Sequence, residues 1–140
     1  TGELAPVAGT PFDFTTAHTI ESRIRTAHPQ LAAGGGYDHT LVFDEPAMDG
    51  PRHVIRLEAP VSGRMLDIAT TAPGVQLYSG NFLDGTRAGI GGSLYRSGDG
   101  ICLETQYLPD SPNQPAFPSP VLRPGETWRS LTRFHFSVAI

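Results

Sequence analysis

The sequence contains no lysine: its ten positive charges are all arginine, set against fourteen aspartates and glutamates for a formal net charge of -4. An acidic balance with no basic cluster argues against nucleic acid or an anionic membrane as the main partner. A single cysteine, Cys102, rules out an internal disulfide framework and a cysteine-built zinc site. It fits a reducing compartment, so a cytoplasmic location is expected, with a periplasmic or secreted one left open. No apolar run approaches the length of a membrane span. The first residues, Thr1-Gly2-Glu3-Leu4-Ala5-Pro6, have neither the basic nor the apolar region of a signal peptide. An initiator methionine is also lacking, so the chain is expected to be a processed or partial product. There is no Gly-x-Ser-x-Gly elbow, no glycine loop ending in Lys-Ser or Lys-Thr, and no His-Glu-x-x-His, which removes nucleotide and zinc-peptidase chemistry. The five histidines, at 18, 28, 39, 53 and 135, form no i, i+2 or i, i+4 pair, so no metal site is expected.

What is present suits one folded domain spanning residues 1–140. The hydrophobic fraction is 39% with seven phenylalanines, enough for a core without staples. Residues 1–14 read as an extended arm whose Phe12 and Phe14 need something to pack on. Residues 15–29 are the best helical candidate, with Thr16 or Thr19 as cap and Pro29 as stop. Gly34-Gly35-Gly36 reads as a loop or a close backbone approach, and Leu41-Val42-Phe43 as a buried strand. Residues 53–70 alternate with period two on both sides of Pro60-Val61-Ser62-Gly63, which predicts a hairpin. Val75-Gln76-Leu77-Tyr78 puts two apolar residues on one face and an amide beside a ring on the other, a common way to hold a sugar. The glycines at 89, 91, 92, 98 and 100 suggest a flexible connection, and Trp128 to Val138 a long strand with Trp128, Phe134, Phe136 and Val138 on one parity. Asp44, Glu45 and Asp49 read as a surface loop; His18, His28 and His53 as solvated or capping; His135 as a strand-face residue. Many short strands with at most one helix indicate an all-β sandwich or barrel.

The chain is organised around residues 101–115, a short strand-like run against a proline-rich turn, with Glu104 near the middle of the run. Alternation places Cys102, Glu104 and Gln106 on one face. Glutamate is depleted in strands and costly to bury unpaired, which calls for a cationic partner or a functional pocket. A solvated edge-strand glutamate remains open on pattern alone.

Five blocks occur in a fixed order: Gly36-Tyr37-Asp38-His39; Pro73 to Gly85; Cys102-Leu103-Glu104-Thr105-Gln106; Pro109 to Pro115; and Leu122-Arg123-Pro124-Gly125-Glu126. In that order they resemble the aldose 1-epimerases, the galactose mutarotase family, over the whole 140 residues. The resemblance implies the C-terminal part of a large antiparallel β-sandwich, the galactose mutarotase-like supersandwich. It implies interconversion of the α and β anomers of free hexoses such as galactose and glucose, without a cofactor. Glu104 matches the family's catalytic base, Asp38 its hydroxyl-binding aspartate, and Gln76 a polar pocket residue. His39 follows as supporting structure, and Thr40 stands where asparagine is frequent.

Glu104 beside Cys102 would be partly desolvated, which would raise its pKa toward a working value. The family's general acid, a second sugar-binding histidine and a substrate-binding arginine come from the half of its chain before Thr1. The 140 residues alone are therefore expected to have little activity, and to need a complementary N-terminal fragment or to self-associate. Two other readings stay open: a non-catalytic sugar-binding module in which Tyr78, Gln76 and Asp38 hold the sugar, and a structural half-domain without ligand affinity.

Overall fold

A computed structural model describes residues 2–44 and 50–139. Among the described residues eight strands and almost no helix make the chain all-β, as expected. In order they are β1 (Asp38–Val42), β2 (Arg52–Ala59), β3 (Arg64–Thr70), β4 (Gly74–Tyr78), β5 (Asp84–Ala88), β6 (Leu94–Arg96), β7 (Cys102–Gln106) and β8 (Thr132–Val138). They form three sheets with orders β1-β4-β7, β2-β3-β8 and β5-β6. Among the described residues no helix is long and apolar enough to cross a membrane. The chain divides into two compact units, Thr1–Thr40 with Gln76–Glu104, and Leu41–Val75 with Thr105–Ile140.

In the first unit the core centres on Tyr37, which is fully buried, with Leu31 and Leu77. The N-terminal arm packs there: Phe12 and Phe14 meet the Tyr37 ring edge-on at 5.7 and 5.5 Å, and the Tyr37 hydroxyl donates to the Pro11 carbonyl at 3.0 Å. The helix predicted over 15–29 does not form. A single turn, α1 (Glu21–Ile24), has no side-chain cap; the Ser22 N–H bonds the Thr19 carbonyl at 3.2 Å instead, and the β-branched and serine residues around it are poor helix formers. Pro29 does not stop a helix but starts one. α2 (Pro29–Gly34) has Pro29 in its first turn, His28 Nδ1 accepting from the Gln30 N–H at 3.2 Å, and Gly35 closing it in the left-handed region at φ 66°. The stretch expected to be a flexible connection is the β5-β6 hairpin. Its turn is closed by the Gly89 N–H donating to the Ser93 carbonyl at 2.8 Å.

In the second unit the predicted hairpin forms as β2 and β3, paired antiparallel with Arg56 opposite Asp67 and Leu57 opposite Leu66. A shift in register lies between His53 and Ile55. β8 adds on β3 with Phe134 opposite Ile68, His135 opposite Asp67 and Phe136 opposite Leu66. Each strand's parity therefore separates an apolar face from a polar one, with Ile68 fully buried. β8 is shorter than expected. Trp128 to Ser130 lie outside the ladder, and the chain joins β3's end only at Leu131, whose carbonyl accepts from the Thr71 N–H at 3.0 Å. The Leu41-Val42-Phe43 run is only partly a buried strand: β1 begins at Asp38, Val42 is exposed, and Leu41 and Phe43 are half-buried. Asp44 is exposed as expected, while Glu45 and Asp49 lie outside the described residues.

Candidate active site

The three residues singled out from the sequence fall on the three strands of one sheet. Asp38 opens β1, Gln76 is the central residue of β4, and Glu104 is the central residue of β7. All three belong to the first compact unit. β4 is buried on its Val75 and Leu77 side, so Gln76 and Tyr78 stand on the opposite, half-exposed side. That separation follows directly from the alternation in Val-Gln-Leu-Tyr.

Asp38 and Gln76 are in contact. Gln76 Nε2 donates to Asp38 Oδ1 at 2.7 Å, and Gln76 Oε1 accepts from the Thr40 hydroxyl at 2.5 Å. The carboxylate can only accept and the amide nitrogen can only donate, so this pairing fixes which way the amide points. Asp38 keeps its second carboxylate oxygen without a partner among the described residues. Thr40 was not predicted to take part. Its signal was present, since Asp38 and Thr40 are two apart on a strand and share a face.

The approach to Asp38 is tightly held. Asn81 Nδ2 donates to the carbonyls of Gly34 and Tyr37 at 2.7 and 2.9 Å, and the Tyr37 N–H donates to Ser79 Oγ at 3.0 Å. Ser79 in turn donates to Asn81 Oδ1. Two side chains from the turn after β4 thus fix the backbone immediately before β1. His39 supports the same segment. Its Nδ1 accepts from the Asp38 N–H at 3.0 Å and its ring lies 4.5 Å from that of Phe12. Burial pushes the His39 pKa down from 6.5, against the opposing charge of Asp38, and the neutral ring is what the hydrogen bond requires.

Glu104 differs from expectation in its surroundings. It is exposed, so the partial desolvation expected from Cys102, itself exposed, has no source among the described residues. No described side chain bonds to it. The Tyr78 ring stacks on Phe82 with centroids 6.1 Å apart and planes 24° apart, and its hydroxyl accepts from the Phe82 N–H at 3.0 Å. A separate shallow hollow in the same unit, lined by Gly9, Thr10, Pro11, Asp13, Arg23 and Thr26, contains none of the three candidates.

One sheet thus carries an aspartate–amide pair on β1 and β4 and an exposed glutamate at the centre of β7. Comparison with known proteins places it in a family. Residues 1–135 match the family model described as aldose 1-epimerase, and the chain belongs to that family. It is 44% identical over 139 residues to galactose mutarotase of Mus musculus and likewise to that of Homo sapiens, covering 99% of this chain and 39% of each relative. It is 41% identical over 135 residues to aldose 1-epimerase of Escherichia coli (strain K12), covering 95% of this chain and 38% of the relative. The chain therefore spans about two fifths of the length of these relatives.

Proposed function

We propose that this chain carries the base and part of the sugar-binding surface of an enzyme that interconverts the α and β anomers of free hexoses such as galactose and glucose. The reading rests on the Asp38–Gln76 pair lying on strands that share a sheet with Glu104. In it, Asp38 accepts from sugar hydroxyls through its unpartnered oxygen, and Gln76, oriented by Thr40, offers its amide beside it. The Glu104 carboxylate takes the proton of the C1 hydroxyl while an acid protonates the ring oxygen. The C1–O5 bond breaks, the aldehyde end rotates, and closure on its other face gives the other anomer. Protons move and no electrons are exchanged, so the scheme needs no cofactor. The acid is the family's histidine, which the resemblance places in a part of the chain that these residues do not match. In this reading a segment that carries that histidine completes the site.

Loss of a general acid typically costs about two to four orders of magnitude in rate, so the 140 residues alone are expected to accelerate glucose mutarotation little in a polarimeter. Near-complete acceleration by this chain alone would overturn the division of labour. In the completed protein, Glu104→Gln should abolish turnover while sugar binding persists. The exposure of Glu104 favours one competing reading, a non-catalytic sugar-binding module. That reading is chosen if the completed protein binds sugar but has no turnover for Glu104→Gln to remove.

A further inference from the structure

We infer that Thr40 is a positioning residue that sets how tightly sugar is held, by fixing the Gln76 amide against Asp38; the inference rests on the proposal that Asp38 and Gln76 hold a hexose. The three side chains form one relay. The Thr40 hydroxyl donates to Gln76 Oε1 at 2.5 Å, and Gln76 Nε2 donates to Asp38 Oδ1 at 2.7 Å. The strand pair produces this arrangement. The Ser79 N–H donates to the Tyr37 carbonyl at 3.0 Å, which ties the end of β4 to the residue before β1, its neighbour in the sheet. Thr40 is three residues on from Tyr37 and Gln76 three residues back from Ser79, so the two face each other across oppositely running strands. Asp38 shares the Thr40 side of β1, two residues back. It therefore lies diagonally from Gln76, a separation that a long side chain such as glutamine can span.

A carboxylate only accepts, so the amide must turn its nitrogen toward Asp38. Its oxygen is then left needing a donor. Gln76 is half-buried, and an acceptor left unbonded at such a position is costly. The threonine hydroxyl supplies that donor, and its β-branched side chain has few rotamers in which to misplace it. Donation into Oε1 also polarises the amide, which strengthens the bond from Nε2 to the carboxylate. Without the hydroxyl the amide is drawn toward other donors, and the Asp38 carboxylate loses the bond that orients it. Thr40 acts on the sugar at one remove, through Gln76.

The test is made in the completed protein with two substitutions. Thr40→Val keeps the β-branched shape and removes the hydroxyl; Thr40→Ser keeps the hydroxyl. Binding of free galactose is titrated by NMR. Thr40→Val should raise Kd about three- to tenfold, the loss of one net hydrogen bond, and Thr40→Ser should stay within about twofold of the parent. A merely structural role would lower the fraction of folded protein without moving the Kd of the folded molecules. The Gln76 side-chain amide gives a second readout. In the parent its two protons should be widely separated, with the one on Asp38 exchanging slowly, and Thr40→Val should bring them together. The parent spectrum and Thr40→Ser carry the test if Thr40→Val does not fold. An unchanged Kd in folded Thr40→Val, a Thr40→Ser as weak as Thr40→Val, or a parent amide with the shifts of a freely turning glutamine overturns the inference. Asp38→Asn separates the two levels. If it weakens binding at least about tenfold while Thr40→Val does not alter Kd, only the role of Thr40 fails. If galactose does not bind, or Asp38→Asn has no effect, the sugar site itself fails and the inference with it.

Discussion

A methyl group on Gly36 would lie 2.5 Å from Oδ1 of Asn81 and 2.9 Å from Oγ of Ser79. Both side chains are bonded to the backbone of the same turn, through the Gly34 and Tyr37 carbonyls and the Tyr37 N–H. Gly36 also has φ at 142°, a conformation that side chains other than hydrogen rarely adopt. The glycine run is thus the place where the chain before Asp38 passes against the turn after β4, and the clamp works only if position 36 is bare.

Gly36→Ala should therefore be costly. The methyl cannot be accommodated by swinging Asn81 or Ser79 away without breaking the bonds that hold the turn, and the backbone strain adds to this, for a loss of about 2–4 kcal/mol. Gly34→Ala is the control. Its added methyl would meet His39 at an ordinary 3.4 Å and it lies inside α2, so it should be neutral or stabilise by up to about 1 kcal/mol. Urea denaturation of the two variants decides; equal effects would show that the closeness of Gly36 to Asn81 carries no weight.

The elements that were legible are those whose pattern and partners coincide. The hairpin of β2 and β3 was readable because period-two alternation runs through both strands and Gly63, with φ 68°, supplies the turn. β4 was readable for the same reason. The helix expected over 15–29 shrinks to the single turn Glu21–Ile24 because a cap candidate and a proline do not outweigh the β-branched and serine residues between them. Its supposed stop is a start, since proline is as suitable for a first turn as it is unsuitable for an interior. β5 and β6 were missed because glycines that look like slack serve as the turn between two short strands.

The candidate site was legible as residue types and not as contacts. Asp38, Gln76 and Glu104 were named from ordered blocks of sequence, and they fall on one sheet. The Gln76–Asp38 bond, the role of Thr40 and the Asn81–Ser79 clamp depend on which strands neighbour each other, which alternation along a single strand does not encode. The expected desolvation of Glu104 fails for a related reason: a strand position sets the face of a side chain, not what covers that face.

His39 should make stability depend on pH just below neutrality. Its folded pKa is pushed below 6.5 by burial, with Asp38 opposing. Above 6.5 the ring is neutral in both states and the full contribution is present. As pH falls, the unfolded chain takes up a proton that the folded chain refuses, so stability declines from about 6.5 down to the folded value and then levels. A histidine NMR titration should place the His39 midpoint under 6.5, and His39→Gln should remove this part of the melting-temperature profile. A midpoint at or above 6.5 would contradict the burial account.

Asp67 gives a second, separate pH dependence. Its carboxyl accepts from Arg56 Nε and from the His53 ring, both at 2.8 Å, and lies 4.0 Å from His135. The Arg56 hydrogen bond, then that of His53, holds its pKa below the ordinary 3.8. A depressed carboxyl contributes stability that is fully present above the unfolded value and is lost as pH falls through the folded one. The wild-type chain should therefore lose stability below about pH 4 more steeply than Asp67→Asn, measured by thermal unfolding in matched buffers. Superimposable acid profiles would mean that the cluster is a solvated arrangement of no energetic consequence, as many surface ion pairs are.

The apolar side of β8 bears on association. Phe134, Phe136 and Val138 share one parity and are 50%, 74% and 61% exposed, and β8 stands at the edge of its sheet, beside β3 alone. An unpaired edge with a bare apolar face invites a further strand or a second sheet. The purified chain should accordingly self-associate with rising concentration unless a complementary segment is supplied. Phe136→Arg should reduce the association, because it puts charge on that face, while changing stability by only about 0.5 kcal/mol at so exposed a position. Light scattering over a concentration series reads the outcome directly. A chain that stays monomeric throughout, or a variant that associates as strongly as the parent, would show that this face of β8 does not drive association.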